Sequence, residues 1–244
     1  QVVAPLKLKG RVHAMEAQLA RAHTRKKLKF TLPGPMTIVD TIADRFYGDR
    51  VKMAFAFAEL LNQEALALEA DGVDIIQFDE PAFNVFFDEV RDWGVAALER
   101  AARDLNCVTA VHICYGYGIE ANIKWKQGLG EEWRQYEHVF PLLAKSHIDQ
   151  VSLECQNSRV PMEFIEMLRG KDVLVGAIDV GTQQVETPEA VADVLRRALQ
   201  YADVEHIQGC TNCGLVTMPR EVATAKLRAL AAGADLLSKE LGLD

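Results

Sequence analysis

The sequence lacks any apolar run of the roughly 18–20 residues that a membrane-spanning helix needs. It has no excess of basic residues either: Lys and Arg total 27, Asp and Glu total 35, and the net charge is −8. Electrostatic binding to nucleic acid or to an anionic membrane is therefore not expected. From its first residues we expect no signal peptide. Its five cysteines have no disulfide-framework spacing, so we expect a reducing, cytoplasmic location.

Also missing is a Gly-x-Gly-x-x-Gly motif after any apolar run, which argues against a dinucleotide-binding sheet. The apolar runs that are present are short, rich in Val and Ile, and separated by longer amphipathic stretches. This alternation predicts parallel strands connected by helices. The predicted strands cover 28–32, 73–78, 108–113, 149–153, 173–178 and 204–208, and the predicted helices cover 50–71, 88–104, 132–146, 161–169, 187–200 and 219–240.

The pattern predicts the α/β class and, more narrowly, a (β/α)8 TIM-type barrel. The chain contains no low-complexity tract, long linker or block of like charges, so we predict a single catalytic domain over residues 1–244. Six strands fall short of the eight that close such a barrel. Because of this shortfall, we expect the first one or two βα units of the barrel to lie upstream of Gln1.

Four potential metal ligands lie at the carboxyl ends of predicted strands, where parallel α/β folds build their sites. Residues two apart on a strand point the same way, so His112 and Cys114 can share one ion. Glu154 and Cys213 follow two other strands, and zinc accepts this mixture of nitrogen, sulfur and oxygen donors. The alternative is that His112 is a core histidine and the cysteines are buried apolar residues.

Several neighbouring residues permit more than one interpretation. Cys210 is three residues before Cys213, so the two form a redox pair or both bind the metal. Asp79 continues an apolar strand and is the preferred functional carboxylate. Glu80 either lies with Asp79 at the site or has a structural role, as a helix cap or in a surface ion pair. Trp125 and Trp133, in the segment after the His-x-Cys strand, either line the mouth of a substrate pocket or pack in a long loop.

Taken together, the motifs resemble the C-terminal catalytic barrel of cobalamin-independent methionine synthase and, more closely, its short single-barrel relatives. The resemblance covers residues 30–220, in family order. The stretches that carry it are Leu32-Pro33-Gly34-Pro35-Met36-Thr37, Ile75-Ile76-Gln77-Phe78-Asp79-Glu80-Pro81-Ala82, Val111-His112-Ile113-Cys114-Tyr115, Leu153-Glu154 with Asn157-Ser158-Arg159, and Asn212-Cys213-Gly214-Leu215.

The resemblance implies zinc as cofactor and methyl transfer to a thiol, above all homocysteine, which would become methionine. It implies His112, Cys114, Glu154 and Cys213 as the zinc ligands, which selects Cys213 over Cys210. It also implies that Asp79 holds the amino group of homocysteine. Zinc would keep the substrate thiol ionised at neutral pH, ready to attack a methyl carbon.

Three departures from the family pattern concern the methyl donor. Thr41 stands where the large enzymes have a Trp that packs on the folate, Val85 replaces a folate-contacting Glu, and Gly181 replaces a proton-donor His. These departures argue against methyltetrahydrofolate as the donor. Relatives that take a methyl group from a corrinoid protein, or that alkylate another thiol such as coenzyme M with an epoxide, remain consistent with the sequence. Two further alternatives are also consistent with the sequence. One is a metal-free barrel of the uroporphyrinogen decarboxylase type, and the other is a zinc-stabilised barrel that binds a corrinoid protein without catalysis.

Overall fold

The computed structural model describes residues 1–117 and 120–243. In this part of the chain six strands form one sheet in the order β1-β2-β3-β4-β5-β6. The pairs β1–β2, β2–β3 and β5–β6 are parallel. The strands are β1 (Lys29–Pro33), β2 (Ile75–Asp79), β3 (Val108–His112), β4 (Gln150–Glu154), β5 (Asp172–Ile178) and β6 (Ile207–Thr211).

Helices follow or precede every strand. None of the described helices is long and apolar enough to cross a membrane. The α-helices are α1 (Ala14–His23), α2 (Pro35–Thr41), α3 (Arg50–Ala70), α4 (Phe87–Glu89), α5 (Val95–Ala101), α6 (Glu120–Gln127), α7 (Tyr136–Leu143), α8 (Pro188–Ala198) and α9 (Arg220–Leu241). Shorter 3₁₀ segments cover Pro81–Asn84, Met162–Leu168 and Val204–His206, and Val90–Gly94 is π-helical.

The consecutive strand order confirms the predicted fold class. A doubly wound sheet reverses its strand order at a switch point, whereas a (β/α) barrel adds each strand beside the previous one. Parallel strands joined by helices in sequence order therefore belong to the barrel type.

The predicted strand boundaries are wrong by up to three residues. β1, β2 and β4 end one residue later than predicted, so Asp79 and Glu154 are the last residues of their strands. The predicted strand at 204–208 begins with a 3₁₀ turn, and β6 covers Ile207–Thr211. The predicted helix over 88–104 is interrupted by the π-helical segment, and the one over 161–169 is a 3₁₀ helix, because periodicity alone does not distinguish these helical types.

Backbone contacts divide the chain into two compact units, the first comprising residues 1–113 and 145–150 and the second residues 114–144 and 151–244. The first unit has a core of strand side chains and helix side chains: Leu32, Met36, Ile76, Phe78, Phe83 and Val111 are buried. The second unit buries Tyr136, Phe140, Leu153, Phe164, Val175 and Ile178. The single catalytic domain over 1–244 stays a prediction.

Candidate metal centre

Three of the predicted ligands form a cluster. His112 ends β3, Cys114 follows two residues later, and Cys213 lies two residues beyond the end of β6. One potential ligand atom from each of these residues lies within 4.8 Å of the others. The two sulfurs are 3.3 Å apart, with the Cys213 thiol donating to Cys114. The fold thus brings together two cysteines that lie 99 residues apart in the sequence.

The cluster is shielded from water. His112 and Cys114 are buried, and Cys213 is half-buried. The hydrogen bond with Cys213 and burial raise the pKa of Cys114 well above that of an ordinary thiol, and the charge of Glu154 acts in the same direction. A bound divalent cation reverses this effect, because a coordinating thiol loses its proton.

Glu154, the fourth predicted ligand, is fully buried and lies outside the group of three. Its Oε1 accepts a hydrogen bond of 2.7 Å from the backbone N–H of Tyr115, and its Oε2 accepts one of 2.8 Å from the hydroxyl of Tyr117. Burial raises the pKa of Glu154 to about 7, although both hydrogen bonds and the charge of Lys126 lower it. The carboxylate is thus held in one orientation by the segment that follows Cys114.

Asn212 anchors the loop that carries Cys213. Its side-chain amide donates to the carbonyl of Gln156 at 2.8 Å, and its carbonyl oxygen accepts the backbone N–H of Cys155 at 3.2 Å. Thr211 adds a hydrogen bond of 2.7 Å to the carbonyl of Cys213. Asn212 is buried, and both of its partners directly follow β4. The position of Cys213 is therefore tied to the end of the strand that supplies Glu154.

Asp79 and Glu80 have different environments, both within the first unit. Asp79 is half-buried, its Oδ1 accepts a hydrogen bond of 2.9 Å from Gln77, and it lies opposite His112 in the β2–β3 register. Glu80 is fully buried and accepts hydrogen bonds from the backbone N–H groups of Met36 and Thr37, at 3.0 and 2.8 Å. Glu80 thus caps the start of α2, which decides between the two interpretations of this residue. Burial raises its pKa to about 7.

Gly34 is required by the buried carboxyl group of Glu80. A Cβ atom at residue 34 would lie 2.1 Å from Cδ of Glu80, whose oxygens are fixed by Met36 and Thr37. We expect Gly34→Ala to lower the free energy of unfolding by about 1–3 kcal/mol, as overpacking does in other cores. Urea unfolding measures this change. Gly128→Ala is the control, since its Cβ would meet only an ordinary contact at 3.4 Å; equal stability losses in the two variants would contradict the prediction.

The sequence of this chain matches the sequence model of a known protein family. Residues 2–235 match the catalytic domain of the cobalamin-independent synthase family. The chain belongs to this family. The resemblance drawn from the motifs is thereby confirmed.

Individual members of the cobalamin-independent synthase family agree with this assignment. A methionine synthase from Sulfurisphaera tokodaii is 31% identical over 216 residues, which are 88% of this chain and 58% of that protein. The chain therefore spans less than two thirds of the length of this curated relative. A B12-independent methionine synthase from Shewanella sp. W3-18-1, solved in complex with selenomethionine, is 57% identical with a TM-score of 0.96, covering all of this chain and 71% of that one.

A more distant structure shares the fold alone. A methyltransferase from Methanosarcina mazei is 15% identical with a TM-score of 0.61, and the match covers 89% of this chain and 63% of that one. The two chains thus share a fold although most of their side chains differ.

The three residues that depart from the family's folate pattern lie in different surroundings. Thr41 is exposed and its hydroxyl donates to the carbonyl of Ile38 at 2.9 Å within α2. Val85 is exposed after the 3₁₀ turn that follows β2. The backbone N–H of Gly181 donates to Oδ1 of Asp179 at 2.7 Å. The expectation that methyltetrahydrofolate is not the donor stays a prediction.

The donor set fits zinc. The two thiols and the imidazole of the cluster are ligands that zinc accepts in tetrahedral geometry. Sulfurs bound to one tetrahedral zinc at about 2.3 Å lie roughly 3.8 Å apart, so the separation of 3.3 Å between Cys114 and Cys213 requires only a small adjustment. Once ionised, the buried sulfur of Cys114 needs a compensating positive charge, which a bound cation supplies.

Proposed function

We propose that this chain catalyses the zinc-dependent transfer of a methyl group to a thiol, with homocysteine as acceptor and methionine as product. The observation that carries the proposal is the cluster of His112, Cys114 and Cys213, of which the first two are buried. The charge of Glu154 acts on Cys114. The names of the related methionine synthases support it. Selenomethionine, which is bound in the Shewanella structure, is an analogue of the proposed product.

In this proposal the four predicted ligands, His112, Cys114, Glu154 and Cys213, hold the zinc ion. Zinc bound there would stabilise the thiolate form of the acceptor at neutral pH. The sulfur lone pair would form the new bond to the methyl carbon as the bond between that carbon and the donor breaks, and the electron pair of the broken bond would leave with the donor. The buried surroundings of Cys114 exclude water, which strengthens the electrostatic interactions of the site.

Other residues of the chain orient the reactants. Tyr115 and Tyr117 fix the carboxylate of Glu154 through its two oxygens. Asp79, whose carboxylate is oriented by Gln77, is proposed to hold the amino group of homocysteine. An ionised carboxylate and an ammonium group form a charge-assisted hydrogen bond, which fixes the position of the substrate as well as binding it.

The methyl donor is proposed to be something other than free methyltetrahydrofolate, with a methylated corrinoid protein as the candidate partner. Thr41, Val85 and Gly181 lack the aromatic, carboxylate and imidazole groups of the folate-using pattern. Nucleic acid and membranes are not proposed as partners. The family match decides against a decarboxylase-type barrel. Alkylation of another thiol would be recognised in the following test, because that thiol and not homocysteine would add a sulfur ligand to the zinc.

The test combines metal analysis with zinc X-ray absorption. We expect one zinc per chain, coordinated by two sulfurs in the resting protein, and a third sulfur when homocysteine is added. Coenzyme M and cysteine serve as control thiols, since only the true acceptor should add the third sulfur. Purified protein without zinc, and with a stability that chelators do not change, would rule out the proposal.

Replacing Tyr117 by Phe is expected to weaken zinc binding about tenfold. The change removes the hydrogen bond of 2.8 Å to Oε2 of Glu154 but keeps the ring, and groups that orient metal ligands typically contribute 10–100-fold to affinity. Competition with a chromophoric chelator measures the zinc dissociation constant. Tyr201→Phe is the matched control, because Tyr201 lies after α8 and lines a different pocket, together with Lys171 and His206. Equal affinities in the two variants would show that Tyr117 does not position Glu154.

A further inference from the structure

The backbone around Asp79 is fixed by hydrogen bonds on both sides of the strand end. The backbone N–H of Gly34, the residue before α2, donates to the carbonyl of Asp79 at 2.8 Å. The backbone N–H of Glu80 donates to the carbonyl of His112 at 2.8 Å. All four residues belong to the first unit. The chain segment that carries Asp79 is therefore held between the start of α2 and the end of β3.

The side chain of Glu80 makes a second connection between this segment and α2. Its Oε1 accepts the backbone N–H of Met36 at 3.0 Å, and its Oε2 accepts both the backbone N–H and the hydroxyl of Thr37, at 2.8 and 2.7 Å. The residue is fully buried, so water does not compete for these hydrogen bonds. Because both oxygens of Glu80 accept hydrogen bonds from α2, this carboxyl group fixes the backbone and does not bind a substrate.

Thr37 holds the turn that follows Asp79 from two sides. Its hydroxyl donates to Glu80 and accepts the backbone N–H of Ala82 at 3.3 Å. Pro81 lies between these two residues, and its ring fixes its own φ angle. One side chain of α2 therefore contacts the chain both before and after Pro81, which leaves the backbone beyond Asp79 little freedom to move.

The carboxylate of Asp79 depends on this support because its side chain is short and moves with the backbone. A misplacement of about 1 Å can slow an enzymatic reaction about a hundredfold. We propose that Thr37 and Glu80 are positioning residues, which hold the backbone of Asp79 so that its carboxylate meets the ammonium group of the acceptor. This inference rests on the proposed function, in which Asp79 binds the amino group of homocysteine.

The experiment compares Thr37→Val with the matched control Thr109→Val. Thr109, near the start of β3, makes the same kinds of hydrogen bond with Asp149 in the same unit. Its backbone N–H and its hydroxyl donate to one oxygen of Asp149, at 2.7 and 2.8 Å, and the hydroxyl accepts the backbone N–H of Asp149 at 3.1 Å. Each variant loses one hydroxyl that is bonded to a carboxylate, so urea unfolding should show similar losses of stability.

Two thiols are titrated into the zinc-loaded variants: homocysteine, and 4-mercaptobutanoate, which is homocysteine without its amino group. We expect Thr37→Val to bind homocysteine about tenfold more weakly than the wild type, because the charge-assisted hydrogen bond of Asp79 is misaligned, and to bind 4-mercaptobutanoate as the wild type does. Thr37→Ser, which keeps the hydroxyl, and Thr109→Val should bind both thiols normally. The carbon-13 resonance of the Asp79 carboxyl group, measured before any thiol is added, should shift in Thr37→Val and not in Thr109→Val.

Three results would overturn the positioning role: equal homocysteine affinities in Thr37→Val and Thr109→Val, equal weakening of both thiols in Thr37→Val, or an Asp79 resonance that moves no further in Thr37→Val than in Thr109→Val. If Thr37→Val does not fold, Glu80→Gln takes its place with the same expectations, because its amide group sets an N–H donor against the donors of α2. A wild type that does not bind homocysteine contradicts the proposed function, and the Asp79 resonance then decides the positioning role by itself.

Discussion

Cys114→Ser is expected to abolish zinc binding and methyl transfer together. A serine hydroxyl does not ionise at neutral pH and is a poor zinc ligand, whereas a coordinating thiol loses its proton. The buried sulfur of Cys114 lies 3.3 Å from that of Cys213, so the change removes one of the two sulfurs of the cluster. We expect zinc to fall from one equivalent to less than about a tenth, and activity to fall at least about a thousandfold, comparable to other losses of a central catalytic group. Elemental analysis and a methionine-formation assay measure the two effects.

Cys213→Ser and Cys210→Ser together distinguish the interpretations of the Cys-x-x-Cys segment. Cys213 belongs to the cluster, and Cys210 lies on β6, paired in register with Gly176. We expect Cys213→Ser to behave like Cys114→Ser, and Cys210→Ser to keep its zinc. Loss of zinc in Cys210→Ser with retention in Cys213→Ser would assign the ligand role to the other cysteine. Circular dichroism of each variant checks that the loss is not caused by unfolding.

Lys226→Met is expected to cause the largest loss of stability among single changes outside the cluster. The ammonium group of Lys226 is fully buried; it donates to the carbonyl of Asp179 and to Oε2 of Glu186, each at 2.9 Å, and to the carbonyl of Gln184. Breaking a buried ion pair leaves an unpaired carboxylate, which costs about 3–5 kcal/mol. Urea unfolding should show this decrease in the free energy of unfolding.

Lys239→Met is the control for Lys226→Met, because Lys239 lies exposed in the last turn of the same helix. We expect it to change stability by no more than about 0.5 kcal/mol. In the double variant Lys226→Met with Glu186→Gln, part of the loss should be recovered, since no buried charge is then left without its partner. A Lys226→Met protein as stable as Lys239→Met would show that the buried pair contributes nothing.

Sequence reasoning found the chemistry of the candidate site because that chemistry follows from local spacing. His112 and Cys114 are two residues apart at a strand end, so any parallel sheet brings both side chains to the same edge. The strand-end position of Cys213 follows from the same rule, and the structure brings it to the other two. The placement of Glu154 as a ligand stays a prediction, since its carboxylate lies outside the group of three.

The residues that support the site were missed. Asn212, although it stands in the motif that carries Cys213, and Tyr117 act through partners 56 and 37 residues away. The sequence therefore assigned no supporting role to either residue. Lys226 resembles an ordinary helix lysine until its partners, 40–47 residues away, are known. The two interpretations of Glu80 could be separated only by its burial and by its contacts to Met36 and Thr37.

By itself the sequence determined the α/β class, the family and the type of ligands, because periodicity, strand-end position and motif order are properties of the chain. The tertiary structure alone decided which side chains orient those ligands and which glycine must stay small. The physical reason is that hydrogen-bond direction, burial and cavity shape depend on residues from separate βα segments meeting in space. No spacing along the chain records those encounters.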